Sequence, residues 1–109
     1  MEFNLAEKLG ILKAIDKVIM ADDNIYEGEA IFVSQLSNVM GFSAEIYKKA
    51  REVPLEEALA ILSVMSRGKK EALAIMLNEA ANADGRVGEE ELKTIYRIFT
   101  RIGVDFDAL

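Results

Sequence analysis

Two stretches of this chain repeat one another. Ala21-Asp22-Asp23-Asn24-Ile25-Tyr26-Glu27-Gly28-Glu29 returns as Ala83-Asp84-Gly85-Arg86-Val87-Gly88-Glu89-Glu90-Glu91, at an offset of 62 residues. The same offset pairs Ile15 with Leu77, Val33 with Ile95, Leu36 with Ile98, Met40 with Ile102 and Gly41 with Gly103. A register kept across apolar and glycine positions alike requires each copy to make the same local structure, so the fold is built from two matched units. The charged positions strictly shared are acidic: Asp22 with Asp84, Glu27 with Glu89, Glu29 with Glu91. Any function must account for two matched sets of carboxylates.

Apolar residues recur at spacings of three and four, and Ala, Leu, Glu, Lys and Met abound, so the chain reads as all-α with no strand. The first helix is expected from about Asn4 to Ala21, with Leu5, Leu9, Leu12, Ile15 and Ile19 facing inward. A second runs from Glu27 to Met40 and is closed by Gly41 in the left-handed conformation. Ser43 is placed to cap a short third helix reaching Arg51. Pro54 suits the first position of a fourth, which extends to about Met65, with Glu56 and Glu57 at its electropositive end. Ser66-Arg67-Gly68 marks a break. The fifth helix is expected over Lys69 to Ala83 and the sixth over Glu89 to Ile102, stopped by Gly103, with an irregular tail from Val104 to Leu109 in which Phe106 docks. The architecture expected is therefore about six helices forming one compact bundle, two of its units being helix, acidic loop, helix.

The 109 residues are 51% hydrophobic, enough to bury one core, and no linker divides them, so a single domain over residues 1–109 is expected. Thirteen basic residues against nineteen acidic ones give a net charge of −6. That charge disfavours nucleic acid and anionic lipid and favours a cation or a basic partner. With no His or Cys, a zinc site of nitrogen and sulfur ligands is excluded, as is Cys or His catalysis. Any metal must be held by oxygen, which selects Ca²⁺, Mg²⁺ or Mn²⁺. Met1 to Lys17 is broken by Glu2, Glu7, Lys8 and Lys13, unlike a signal peptide, and no run approaches the ~20 apolar residues of a membrane span. A cytoplasmic protein without membrane insertion is expected.

Following the inner seam of the first helix gives Ile11, Ile15, Val18 and then Asp22; the fifth gives Leu73, Leu77, Ala80 and Asp84. The second helix mirrors this with Glu29, Val33, Leu36 and Met40, and the sixth with Glu91, Ile95, Ile98 and Ile102. Residues so spaced share one face, so each loop is flanked by an Asp and a Glu aimed toward the core. A buried carboxylate must be hydrogen-bonded, protonated, paired or bound to a cation. Three readings follow: capping, because Glu29 and Glu91 stand near the third helical position; a divalent-cation site; or a pairing surface for Lys or Arg. The calcium-binding EF-hand is excluded, because its sixth and twelfth positions would be Glu27 and Val33, or Glu89 and Ile95.

Ala83-Asp84-Gly85-Arg86-Val87, with Glu91 seven residues after the Asp and an apolar helix closing at Ile102-Gly103, resembles the signature of the TerB-like family, named for tellurite resistance protein TerB and including domains of DnaJ-type co-chaperones. The resemblance spans about Leu9 to Val104. It implies an all-helical fold of two similar halves and a divalent-metal role for Asp22, Glu29, Asp84 and Glu91. The first loop departs from the family pattern at Asp23, where Gly is frequent, and Tyr26 and Gly88 stand where a capping Asp or Ser is usual. The family's name describes a phenotype rather than a reaction.

Other signals have plainer explanations. Asp16, whose counterpart is Asn78, is expected at an edge, paired with Lys13, Lys17 or Lys8. Met20, Met40, Met65 and Met76 read as core filler, and Arg67, Lys69 and Lys70 as a solvated turn. Gly85, Gly88 and Gly103 match no phosphate-binding pattern. The chain is expected to be a non-enzymatic divalent-cation-binding or protein-interaction module, tied to stress or envelope-associated processes and serving a protein partner. The alternatives are a metal-free helical scaffold, which a contiguous exposed apolar patch and hydrogen-bonded acids would favour, and a Mg²⁺- or Mn²⁺-dependent hydrolase, for which no Lys or His stands beside the acids as a proton-transfer partner.

Overall fold

The duplication is reproduced helix by helix in the structure, a computed structural model that describes residues 2–21, 27–83 and 88–104. Helix α1 (Leu5–Ile19) and helix α5 (Arg67–Ala81) are each 15 residues long, and α2 (Glu27–Met40) and α6 (Glu89–Ile102) are each 14. All four bounds agree at the 62-residue offset. Between the copies lie α3 (Ala44–Glu52) and α4 (Leu55–Ser63). Among the described residues all regular structure is helical, and no helix is long and apolar enough to cross a membrane.

The helix ends follow from local chemistry, and they match between copies. The Asn4 side chain accepts the Glu7 amide at 2.8 Å while Glu7 Oε1 accepts the Asn4 amide at 2.9 Å, a reciprocal capping box. Ser66, at the matching position, accepts the Lys69 amide at 3.3 Å. Arg67 and Gly68 therefore open α5 rather than interrupt the chain, because the serine cap fixes the start two residues earlier than the periodicity implies. Ser43 caps α3 as expected, accepting the Ile46 amide. Pro54 is the cap of α4 and not its first helical residue; its backbone is extended (φ −61°, ψ 139°) and its carbonyl accepts the Ala58 amide. Both α1 and α5 stop two residues short of the expected ends, where Ala21 bonds to Val18 O and Ala83 to Ala80 O in a tightened last turn. Gly41 (φ 72°) and Gly103 (φ 81°) adopt the left-handed conformation, and the amides of Phe42 and Val104 each reach back to the carbonyl five residues before, Ser37 and Phe99.

Helix α1 packs against α3, α4, α5 and α6. Surrounded in this way, it has no exposed surface at Ile11, Leu12, Ala14, Ile15 or Val18. The copies interlock, since α1 packs on α6 while the equivalent α5 packs on α2. The seam of α5 (Leu73, Leu77, Ala80) and that of α6 (Glu91, Ile95, Ile98, Ile102) are buried as the spacing implies. Leu5 departs from its inward register, 58% exposed in the first turn of α1; Met20, expected in the core, is exposed, and Val33 and Met40 of the α2 seam are only partly buried. Where α1 meets α4 the backbones approach closely. A Cβ at Gly10 would lie 3.2 Å from Leu62 Cδ2 and 3.4 Å from the Ala58 carbonyl oxygen, so the position leaves little room for a side chain larger than a methyl group. Its counterpart in the other copy is Ala72, which is only partly buried.

Candidate functional site

Glu29 and Glu91 occupy the third helical position of α2 and α6, and both are buried, 1% and 2% exposed. The Gly88 amide donates to Glu91 Oε1 at 3.2 Å. This is one half of a capping box, because glycine has no side chain to return the bond. Glu29 lines a small cavity together with Ile19, Val33, Tyr47 and Arg51, so a guanidinium shares its surroundings. Asp22 and Asp84 lie outside the described residues, as do the loops that carry them and Phe106. Among the described residues, no three acidic side chains come together in a way that would hold a metal ion.

Asp16 is not paired with a neighbouring lysine. Its Oδ1 accepts from the Tyr47 hydroxyl at 3.1 Å and from Arg51 Nε at 3.1 Å, both on α3. The Arg51 guanidinium also lies over the Tyr47 ring, 5.4 Å from its centre. Burial, followed by the Asp16 charge and hydrogen bond, pushes the Tyr47 hydroxyl's pKa well above the ordinary tyrosine range. Two of the three lysines expected to pair with Asp16 serve helix ends instead. Lys13 donates to the Arg51 carbonyl at 2.8 Å and Lys8 to the Gly41 carbonyl at 3.1 Å, where ammonium groups meet the electronegative C-terminal ends of α3 and α2. This cluster fastens α1 to α3. Lys69 likewise leaves the solvated turn foreseen for it, reaching Glu7 and the face of Phe3.

A wider concavity lies elsewhere. A groove of about 780 Å³ runs between the C-terminal end of α1, the start of α4 and the outer side of α6. Leu59 and Ile98 form its buried floor, Met20, Ala21 and Leu55 its apolar shoulders, and Lys17, Arg97, Arg101 and Glu56 its charged rim. Arg101 holds Glu56 through both guanidinium nitrogens, and this contact draws the Glu56 carboxyl below the usual carboxylate range. Tyr96, 59% exposed, stands on the edge, and Leu92, 45% exposed, continues the apolar surface one turn along α6. Such a volume and lining are typical of sites that take a ligand or a partner side chain. The signal was present in α6 alone: Leu92 and Tyr96 form one line, and Lys93, Arg97 and Arg101 form the line beside it, at steps of four.

No protein-family model matches the chain, and no curated protein does. Among solved structures, the fold is similar to the crystal structure of a protein of unknown function from Porphyromonas gingivalis, with a TM-score of 0.80 and 23% identity over 96% of this chain and 83% of that one. Likeness at this identity shows the fold, and a fold alone does not name an activity.

Proposed function

We propose that this chain is a non-enzymatic protein-interaction module, TerB-like and cytoplasmic, that receives a helix of a partner protein in the groove between α1, α4 and α6. The observation that carries this reading is a groove floored by the apolar residues Leu59 and Ile98 and edged by the exposed apolar side chains of Tyr96 and, one turn along α6, Leu92. A tyrosine on a groove edge supplies a large apolar face with a polar tip, the character of an interface anchor. The test is fluorescence anisotropy with a panel of labelled amphipathic helical peptides whose polar faces are acidic, neutral or basic. Saturable binding of at least one peptide, lost in Tyr96→Ser, supports the module. Failure of every peptide would remove it.

A second reading is favoured by the matched burial of Glu29 and Glu91: the two acidic corners hold a divalent cation, with Asp22 and Asp84 as further oxygen ligands. Thermal unfolding of chelator-treated protein with Ca²⁺, Mg²⁺ or Mn²⁺ tests it, because an ion that binds only the folded state raises the midpoint. A saturable rise that disappears in Asp22→Asn/Asp84→Asn supports the site. No rise at millimolar ion leaves Glu91 as a helix cap and Glu29 as a buried partner of its cavity.

A further inference from the structure

We propose that the partner helix carries acidic side chains beside its apolar face, an inference that rests on the groove being a protein-binding surface. Over the whole chain the net charge is −6, yet the groove rim reverses it, with Lys17, Arg97 and Arg101 against Glu56. Arg101 is engaged by Glu56, and Lys93, beyond the groove, is engaged by Glu89 and Glu90. Among the described residues, neither Lys17 nor Arg97 has a carboxylate within ion-pair distance. They flank the apolar floor from opposite walls, one on α1 and the other on α6.

The duplication provides an internal control. The positions of α2 that match Lys93, Arg97 and Arg101 are Ile31, Gln35 and Val39, and those that match Leu92 and Tyr96 are Ala30 and Ser34. Two helices of equal length, both packed across to the other copy, therefore share the pattern of their inner seam and differ on this outer surface. The fold does not require the basic row, which belongs to α6 alone. From Lys93 to Arg101 the row runs about 12 Å, a little over two helical turns. A partner helix lying along α6 with carboxylates at steps of three and four would face it, while its apolar residues would meet Tyr96, Met20 and the groove floor.

The rim charges also point away from other polyanions. A nucleic acid or an anionic bilayer would have to approach a molecule whose summed charge repels it, and a flat bilayer cannot reach a concave floor. A single helix can enter, carrying few charges and placing them locally.

The experiment compares three labelled helical peptides with one shared leucine face and polar positions filled by Glu, Gln or Lys at steps of four, measured by anisotropy against the whole chain. The Glu peptide is expected to bind about tenfold more tightly than the Lys peptide, with the difference shrinking at high salt. Arg97→Glu should weaken the Glu peptide about tenfold and strengthen the Lys peptide, while circular dichroism stays unchanged because the residue is exposed. Glu56→Gln should strengthen the Glu peptide by freeing Arg101, a gain that mere structural damage cannot produce. Equal or tighter binding of the Gln or Lys peptide would overturn the acidic partner and leave the interaction module standing. Binding of no peptide would remove both. Tighter binding to phosphatidylglycerol vesicles or to a single-stranded oligonucleotide than to the Glu peptide would also overturn the proposal.

Discussion

The Lys69 ammonium lies 2.8 Å from Glu7 Oε1 and 3.0 Å from Glu7 Oε2, and the two residues hold the same place in the two copies of the repeat, 62 residues apart. The ion pair therefore joins matching positions of the two copies, where α1 packs on α5. Like charges there would repel. The two copies have opposite charges at this position, and Glu7 also closes the cap of α1, so one carboxylate orders a helix start and joins the halves.

The contact makes stability depend on acid. The Lys69 hydrogen bond, then the Asn4 amide, holds the Glu7 carboxyl below its ordinary range in the folded state. The unfolded chain therefore takes up its proton first as pH falls, and the stabilisation, complete above about pH 5, is lost as pH drops through the folded value. Glu7→Gln should flatten this acid limb in urea unfolding followed by circular dichroism. Glu7→Lys should lower the midpoint at neutral pH, and Glu7→Lys/Lys69→Glu should recover most of the loss. An unrecovered double variant would mean that the two groups act separately.

Tyr47 carries the opposite limb. Its folded hydroxyl ionises well above the ordinary tyrosine value, so the unfolded chain loses that proton first and stability declines as pH rises above about 10. Tyr47→Phe should cost about 1 kcal/mol at neutral pH through the lost bond to Asp16 and should reduce the alkaline decline. Absorbance titration of the phenolic groups alongside thermal unfolding checks both effects. An unchanged alkaline limb would contradict the assignment.

Gly10 tests the close approach of α1 and α4. Alanine gains about 1 kcal/mol of helix propensity, but its Cβ would press on the fully buried Leu62 at 3.2 Å, so Gly10→Ala should be nearly neutral. Gly10→Val should cost about 2 kcal/mol or more through overpacking. The same valine at Ala72, which is only partly buried, should cost clearly less. Chemical unfolding of the three variants decides it, and equal losses at the two positions would contradict the asymmetry.

Glu91 separates capping from ion holding. An amide oxygen still accepts the Gly88 N–H, so Glu91→Gln should keep the start of α6 closed and change stability by about 1 kcal/mol or less, whereas Glu91→Ala should cost about 1–3 kcal/mol. Under the cation reading, either substitution abolishes an ion-dependent rise in midpoint, and Glu91→Gln then behaves like Glu91→Ala in the presence of the ion.

Much of the fold was legible because its determinants are local. The 62-residue offset gave the paired helices, Ser43 and the two terminal glycines gave ends, and the spacing of apolar residues gave the buried seams. What failed was set by tertiary context. Leu5 keeps the right register, but no helix covers the first turn there. Asp16 finds its partners on α3, 31 and 35 residues away, a pairing that helical periodicity does not encode. The groove was invisible for the same reason, its walls coming from three helices. Only the paired lines of Leu92 with Tyr96 and Lys93 with Arg97 and Arg101 could have been read beforehand. For the acidic corners, the inward register of Glu29 and Glu91 was correct, since inward direction follows from spacing.

The most direct measurement is a ¹⁵N-¹H correlation spectrum of the whole chain titrated with the acidic amphipathic peptide. The account predicts saturable shifts concentrated on Lys17, Met20, Leu59, Leu92, Tyr96 and Arg97, with α3 and the outer side of α2 unmoved. Shifts centred on α2 and α3, or none at saturating peptide, would contradict it.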